Sequence, residues 1–291
     1  MKDLNQITVV GMGLLGGSIS LAVLRSFARV RVVGYAHRPS TRAKARQLEV
    51  ATEVADSLRS SVADADIVVL ATPIGAFESI FSEIADSLPS GCIITDVGST
   101  KVLPHRWAAG KLPKSVHYVG SHPIAGSEQR GVEFARDDLF DQAMCVLTTT
   151  KTSNRRAVRT LKEFWSQLGC RLKAMTPAEH DRIFANVSHL PHMTAVALTN
   201  ASRSEELRFA GTGFIDASRI ASGPANIWAD VLLTNANNAA KGIDKVVAEL
   251  AKLKKAIKSK NREDVASLLE GARAKRAALI RYKIKNKEMI S

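Results

Sequence analysis

Cysteine is scarce in this 291-residue chain: Cys92, Cys145 and Cys170 stand far apart and never in CxxC spacing. An odd, scattered set supports neither a disulfide framework nor a zinc ribbon, so the three read as small core residues. Long apolar runs are missing too, since none approaches the roughly 18 residues of a membrane span. The start, MKDLNQITVVG, enters an apolar strand with no charged-then-apolar leader and no cleavage site. A cytoplasmic location without a membrane partner is expected. Acidic residues are the third shortage, with 28 Asp and Glu against 41 Lys and Arg, a net charge of +13. Residues 241–291 carry 15 of those bases against 6 acids, so 9 of the 13 excess charges lie there. Stretches such as KLKKAIKSKNRED read as a solvated helix face followed by a turn, without the interleaved aromatics of a nucleic-acid groove, and no nucleic-acid partner is expected.

What is present is a globular composition, 45% hydrophobic and 24% charged, in a chain long enough for two ordinary domains. The first 175 residues alternate short Val/Ile-rich runs with amphipathic segments, the pattern of parallel strands joined by crossover helices. Candidate strands are ITVVG (7–11), RVVGY (31–35), IVVLA (67–71), CIITD (92–96), HYVGS (117–121), MCVLTTT (144–150) and RLKAM (171–175). TPAE at 176–179 is a capping box, with Thr176 as N-cap and Pro177 at the first helical position. Helical patterns then run to the end. The expected fold is α/β: a doubly wound, Rossmann-type sheet over residues 1–175, followed by an all-α domain over 176–291.

GMGLLG places Gly11, Gly13 and Gly16 around Leu14 and Leu15, after a strand and at the opening of a helix, the context in which GxGxxG binds a dinucleotide. The first glycine permits the tight turn, the second admits a pyrophosphate, and the third lets helix pack on sheet. The second strand ends in GYAHRPST, with Ala36 where NAD binders usually carry Asp or Glu. His37, Arg38, Ser40 and Thr41 offer a 2′-phosphate donors and a cation instead, so NADP is favoured over NAD.

Three segments belong at the carboxyl edge of the sheet: LATP with Thr72 and Pro73, TDVGSTK with Ser99 and Lys101, and SHPIAGSE with His122. A hydride abstraction from a carbinol needs a proton acceptor, and a neutral imidazole at His122 serves near neutral pH, with Ser99 to orient it or hold the cofactor. Along AEHDRIFANVSHLPHM, helical spacing puts Asp181, Ser188 and His192 on one face, and Pro191 should kink the helix. His189 and His192 stand near Asp181, but nothing else completes a ligand set, and no metal is expected. Arg219, in GTGFIDASRIASGPANIW, suits a bidentate clamp on a carboxylate.

GMGLLGGS, LATP, TDVGSTK, SHPIAGSE, PAEHD, SHLPH and FIDASRIASGPANIW, in that order over nearly the whole chain, resemble the prephenate/arogenate dehydrogenase family, oxidoreductases of tyrosine biosynthesis. The resemblance implies oxidative decarboxylation with hydride transfer to NADP or NAD. In that reading His122 accepts the ring-hydroxyl proton, Ser99 assists, Arg219 holds a substrate carboxylate and His192 faces the substrate. Glu128, Asp181, Ser188 and Trp228 match positions lining or gating the pocket. The resemblance also implies a homodimer built by the helical domain. Ala36 departs from the acidic residue of NAD-using members. The chain ends soon after the helical domain, and no C-terminal regulatory domain or fused mutase is expected. His192 favours prephenate over arogenate, with dual use the alternative. The competing readings are a β-hydroxyacid dehydrogenase, which would want a catalytic lysine where this helix has histidines, and a catalytically silent NADP-sensing module.

Overall fold

A computed structural model describes residues 4–126 and 129–286. The parallel strands are β1 (Gln6–Val10), β2 (Arg31–Tyr35), β3 (Glu53–Val54), β4 (Ile67–Leu70), β5 (Ile93–Asp96) and β6 (His117–Tyr118), of which β1, β4 and β5 are short runs rich in β-branched residues and buried on both faces. They form one sheet in the order β3-β2-β1-β4-β5-β6. Alternation along the strands sorts their side chains into two cores: Ile7, Val9, Ile67 and Val69 join one, while Val10, Val68 and Leu70 join the other. Helices α1 (Leu14–Ser26), α2 (Pro39–Gln47), α3 (Leu58–Val62), α4 (Phe77–Ile84) and α5 (Val102–Lys111) connect them. Because β1 lies between β2 and β4, the strand order reverses there, and a ligand crevice belongs at the carboxyl ends of β1 and β4.

The anticipated single sheet of seven strands is corrected in one respect. The run HYVGS breaks at Val119, and β7 (Gly120–Ile124) leaves to start a second sheet with β8 (Met144–Thr148) and β9 (Arg171–Met175). The Val119 N–H still donates to the Ile94 carbonyl at 3.0 Å, but the next strand-like donor, Ser121 N–H, goes to the Asp96 carboxylate at 3.1 Å. A carboxylate at the end of β5 therefore diverts the chain out of the parallel sheet. His122 and Pro123 lie inside β7, antiparallel to β8 at the edge of the new sheet, where a strand proline removes no ladder bond. Helix α6 (Arg155–Gln167) buries Leu161, Phe164 and Trp165, and the Trp165 indole donates to the Ser121 hydroxyl at 2.9 Å. The two-residue β3, not anticipated, is too short to show a period.

After β9 the chain is helical. The Thr176 hydroxyl accepts the Glu179 N–H at 3.2 Å and starts α7 (Pro177–Phe184). The expected kink takes the form of a π-helical turn, Ala185–His189, directly before α8 (Leu190–Ala201), whose second residue is Pro191. Then come α9 (Thr212–Ser218), a short turn at Arg219–Ser222, and α10 (Ala225–Thr234). These elements belong to one compact unit reaching Ala239. A second unit begins at Ala240 and contains most of α11 (Ala236–Lys258) and all of α12 (Arg262–Lys285), capped by the Asn261 side chain. Along α11, Ile243, Val247, Leu250 and Ile257 are exposed. Their spacing of four, three and seven residues places them on one helical stripe. No described helix is long and apolar enough to cross a membrane.

Candidate active site

The glycine loop has the geometry that a pyrophosphate requires. Gly11 sits at φ +105°, its N–H bonded to the Tyr35 carbonyl at 2.7 Å, and a Cβ there would lie 2.6 Å from the Ala71 backbone. A Cβ on Gly16 would come within 1.8 Å of the Gly11 carbonyl oxygen, whereas one on Gly13 would meet nothing within 4 Å. The first and third glycines are thus spent on packing, and the second leaves space above the start of α1. No side chain caps that helix, whose first residues are the half-buried Leu14 and Leu15, so its leading N–H groups remain for an anion. The Thr72 backbone nitrogen lies beside Gly11, and the buried Thr72 hydroxyl has no hydrogen-bond partner among the described residues, a donor available to a ligand. Pro73 follows it and is exposed. These residues fit a bound dinucleotide.

At the end of β2, Ala36 is buried, while His37, Arg38 and Ser40 are exposed and Thr41 half-buried. The Arg42 guanidinium, which nothing in the sequence singled out, donates to the carbonyls of Ala36 at 2.8 Å and His37 at 3.0 Å and bonds Asp56 at 3.2 Å. It braces the loop that presents Arg38. Because its loop partners are backbone atoms, no side-chain motif announces it.

Behind the cleft, Asp96 is a fully buried node. Its carboxylate pairs with the fully buried Lys101 ammonium and accepts from Gly98 N–H at 3.0 Å, Tyr118 hydroxyl at 2.9 Å and Ser121 N–H at 3.1 Å. The end of β5, the loop carrying Ser99, and the strand carrying His122 are therefore tied to one charge. An acid ending a buried strand with a lysine five residues on was the available signal, which the reading of Ser99 and Lys101 did not use.

His122 is half-buried on β7. Its Nδ1 lies 2.9 Å from Nε2 of His180, and Nδ1 of His180 lies 2.8 Å from the Asp181 carboxylate. That carboxylate accepts the N–H groups of Lys101 at 2.7 Å and Val102 at 2.9 Å, capping α5 from another helix. Burial holds His122 well below the ordinary imidazole range, with His180, Lys101 and His189 acting in the same direction. His180 is pushed down to about 2, chiefly by burial. Burial raises the Asp181 carboxyl, against the two backbone N–H groups that favour its charged form. His122 is thus a neutral imidazole at physiological pH, with Nδ1 engaged and Nε2 without a hydrogen-bond partner among the described residues.

His192 is buried and stacks on the half-buried Trp228 indole, centroids 3.6 Å apart and planes at 7°. Gly223 makes room for that stack, since a Cβ there would lie 2.2 Å from the indole nitrogen. Burial lowers the pKa of His192, while the backbone of Ile220, next to the exposed Arg219, opposes that shift. His192 Nδ1 is buried with no hydrogen-bond partner among the described residues. The single stripe of Asp181, Ser188 and His192 is corrected by the π turn, which breaks the 100° rotation between them. Asp181 and His192 are buried with His180 and His189, whereas Ser188 is only half-buried. Ser99 is half-buried and makes no hydrogen bond to His122, whose inward partner is His180. Glu128 lies outside the described residues. A hollow of about 920 Å³, lined by Asn5, Asp66, Gly91, His117 and Asn154, sits at the amino ends of the strands and holds none of these groups.

A doubly wound nucleotide-binding fold, an imidazole kept neutral beside its carboxyl edge, and a following helical segment with further histidines define the class as an oxidoreductase. Comparison with known proteins narrows it. Residues 19–174 match the family model described as prephenate dehydrogenase, nucleotide-binding domain, and residues 176–271 the one described as prephenate dehydrogenase, dimerization domain. Prephenate dehydrogenase of Bacillus subtilis is 34% identical over 96% of this chain and 76% of its own length. Cyclohexadienyl dehydrogenase of Zymomonas mobilis is 30% identical over 96% and 97%. The crystal structure of prephenate dehydrogenase from A. aeolicus, in complex with hydroxyphenyl propionate and NAD+, superposes with a TM-score of 0.89 at 31% identity, covering 95% of this chain and 99% of that one. The chain belongs to the prephenate dehydrogenase family.

Proposed function

We propose that this enzyme converts prephenate to 4-hydroxyphenylpyruvate and CO2 in tyrosine biosynthesis, passing hydride to NADP in preference to NAD. The observation that carries the reading is His122, neutral, with Nε2 unpartnered among the described residues, on the strand that Asp96 diverts from the carboxyl edge of the nucleotide-binding sheet. A dinucleotide held by its pyrophosphate at the Gly11–Gly16 loop would supply the hydride acceptor through its nicotinamide. As hydride leaves the ring carbon bearing the hydroxyl, His122 Nε2 takes the hydroxyl proton. The bond to the ring carboxylate breaks, its electron pair aromatises the ring as CO2 departs, and the proton returns to the phenolate oxygen, so no net proton is consumed. Ser99 assists at the hydroxyl. Arg219 clamps a substrate carboxylate, and His192, fixed by its stack on Trp228, faces the side chain.

In this reading residues 1–175 hold the nucleotide, and residues 176–291 hold the substrate and build a homodimer. The exposed stripe Ile243, Val247, Leu250 and Ile257 supports a dimer, as does the description of the second matching family model. Exposed Arg38, with no carboxylate at Ala36, supports NADP. Arogenate is the second reading, favoured by the likeness to a cyclohexadienyl dehydrogenase. Purified protein assayed with prephenate and arogenate against NADP and NAD, following reduced nicotinamide absorbance, tests all of this. Fastest turnover with prephenate and NADP is expected, and no absorbance rise in any of the four mixtures overturns the enzyme reading.

A further inference from the structure

We infer that His180 is a positioning residue, holding His122 in the tautomer that carries its proton on Nδ1 and so turning the Nε2 lone pair toward the substrate. The inference rests on the base role proposed for His122 and names what makes it a base. It begins at the far end of the chain of bonds. Asp181 accepts two backbone N–H groups, at 2.7 and 2.9 Å, that can only donate, and they belong to the N-cap and the first residue of the ten-residue helix α5. That helix end favours a negative charge, so Asp181 is a carboxylate and an acceptor toward His180. The proton in the 2.8 Å contact therefore sits on His180 Nδ1. A neutral imidazole has one proton, so His180 Nε2 is an acceptor, and the 2.9 Å contact forces the His122 proton onto Nδ1.

Three further contacts make the arrangement rigid. The His180 ring stacks on Phe184 at 4.4 Å, the His122 ring lies 4.8 Å from Phe184, and the Asp181 carbonyl accepts from Asn235 at 2.8 Å. When Nε2 of His122 takes the substrate proton, the positive charge formed on that ring faces a carboxylate one imidazole away. His180 thus does for His122 what a directly bonded acid does for a catalytic histidine elsewhere, fixing the tautomer and steadying the cation.

The test uses the full-length protein labelled with 15N-histidine, with long-range 1H–15N correlation reading which ring nitrogen of His122 bears the proton, and steady-state kinetics alongside. In the unsubstituted protein His122 is expected to be protonated on Nδ1. His180→Leu should move that proton to Nε2 and lower kcat roughly 10²-fold or more, with the KM for nicotinamide cofactor unchanged. His180→Gln, whose side-chain oxygen can accept from Nδ1–H, should restore the tautomer and much of the turnover. A His122 proton found on Nε2 in the unsubstituted protein overturns the inference. So does His180→Leu retaining Nδ1–H and full turnover, or Gln and Leu variants equally slow with the tautomer unchanged. If His180→Leu fails to fold, the tautomer of the unsubstituted protein and the Gln variant decide. Absence of turnover in the unsubstituted protein would instead defeat the functional reading and leave the tautomer measurement standing.

Discussion

Replacing Lys101 with methionine, close in length but uncharged, isolates the worth of the buried Asp96 node. The lysine is 0% exposed and its ammonium rests on a carboxylate that is also 0% exposed, so water cannot replace it. Removing one partner of a buried ion pair typically costs about 3–5 kcal/mol, because a charge is left uncompensated. Here Asp96 keeps three donors, from Gly98, Tyr118 and Ser121, which places the expected loss near the lower end, at about 3 kcal/mol. For a folding unit of this size that corresponds to a fall in Tm of about 6–12 °C. Urea unfolding followed by far-UV circular dichroism, together with a thermal scan, measures both. The double variant Asp96→Asn/Lys101→Met removes the stranded charge and should recover part of the loss. A Lys101→Met protein within about 0.5 kcal/mol of the parent, or a double variant worse than the sum of the two singles, would refute the reasoning.

Further outcomes are expected. Gly16→Ala should cost about 1–3 kcal/mol of stability, because its Cβ meets the Gly11 carbonyl. Gly13→Ala should melt normally yet bind nucleotide more weakly, and the opposite ranking in a paired thermal and titration experiment would contradict the loop assignment. Arg38→Ala should raise the Kd for NADP much more than that for NAD; equal losses count against the phosphate reading. His105 is half-buried and neutral, with its pKa pushed down to about 4 chiefly by desolvation, so between its ordinary 6.5 and that value only the unfolded chain takes the proton. Its contribution is complete above the ordinary value and is lost as pH falls toward the depressed one, by up to about 3 kcal/mol, with His122, His180 and His189 acting in the same direction. Equal urea midpoints at about pH 7.5 and pH 5 would disprove it. Leu250→Lys on the exposed stripe of α11 should convert a dimer to a monomer on size-exclusion chromatography without loss of helical signal, and an unchanged elution volume would exclude that stripe as the interface.

The parts of this molecule legible in its sequence are those whose chemistry is local. Gly11, Gly13 and Gly16 act through backbone conformation and missing side-chain volume within six residues of each other, so spacing alone conveys their use. Thr176 caps a helix by accepting an N–H three residues on, and β1, β4 and β5 announce themselves by burial on both faces. The departure of β7 was not local. It depends on a carboxylate at Asp96 outcompeting a ladder carbonyl for the Ser121 N–H, a contest between residues 25 positions apart.

Locality also separates His122, which the sequence singles out as a candidate base, from His180, which it does not. An imidazole between a buried strand and a turn stands out, whereas His180 and Asp181 are adjacent residues, which a helical-periodicity argument assigns to different sides. That argument chose Asp181, Ser188 and His192 and passed over the neighbour. The π turn at Ala185–His189 then displaced the later members of the stripe, while the start of α5 drew the Asp181 carboxylate to its N–H groups. With Asp181 so anchored, His180 meets its carboxylate on one side and the β7 strand on the other. The setting of His122 therefore depends on the meeting of three elements, β7, α5 and α7, of which only α7 is announced by its own sequence, through the Thr176 cap. Their contact is the step that neither spacing nor composition carries, and in the proposed reading it decides which nitrogen of His122 faces the substrate.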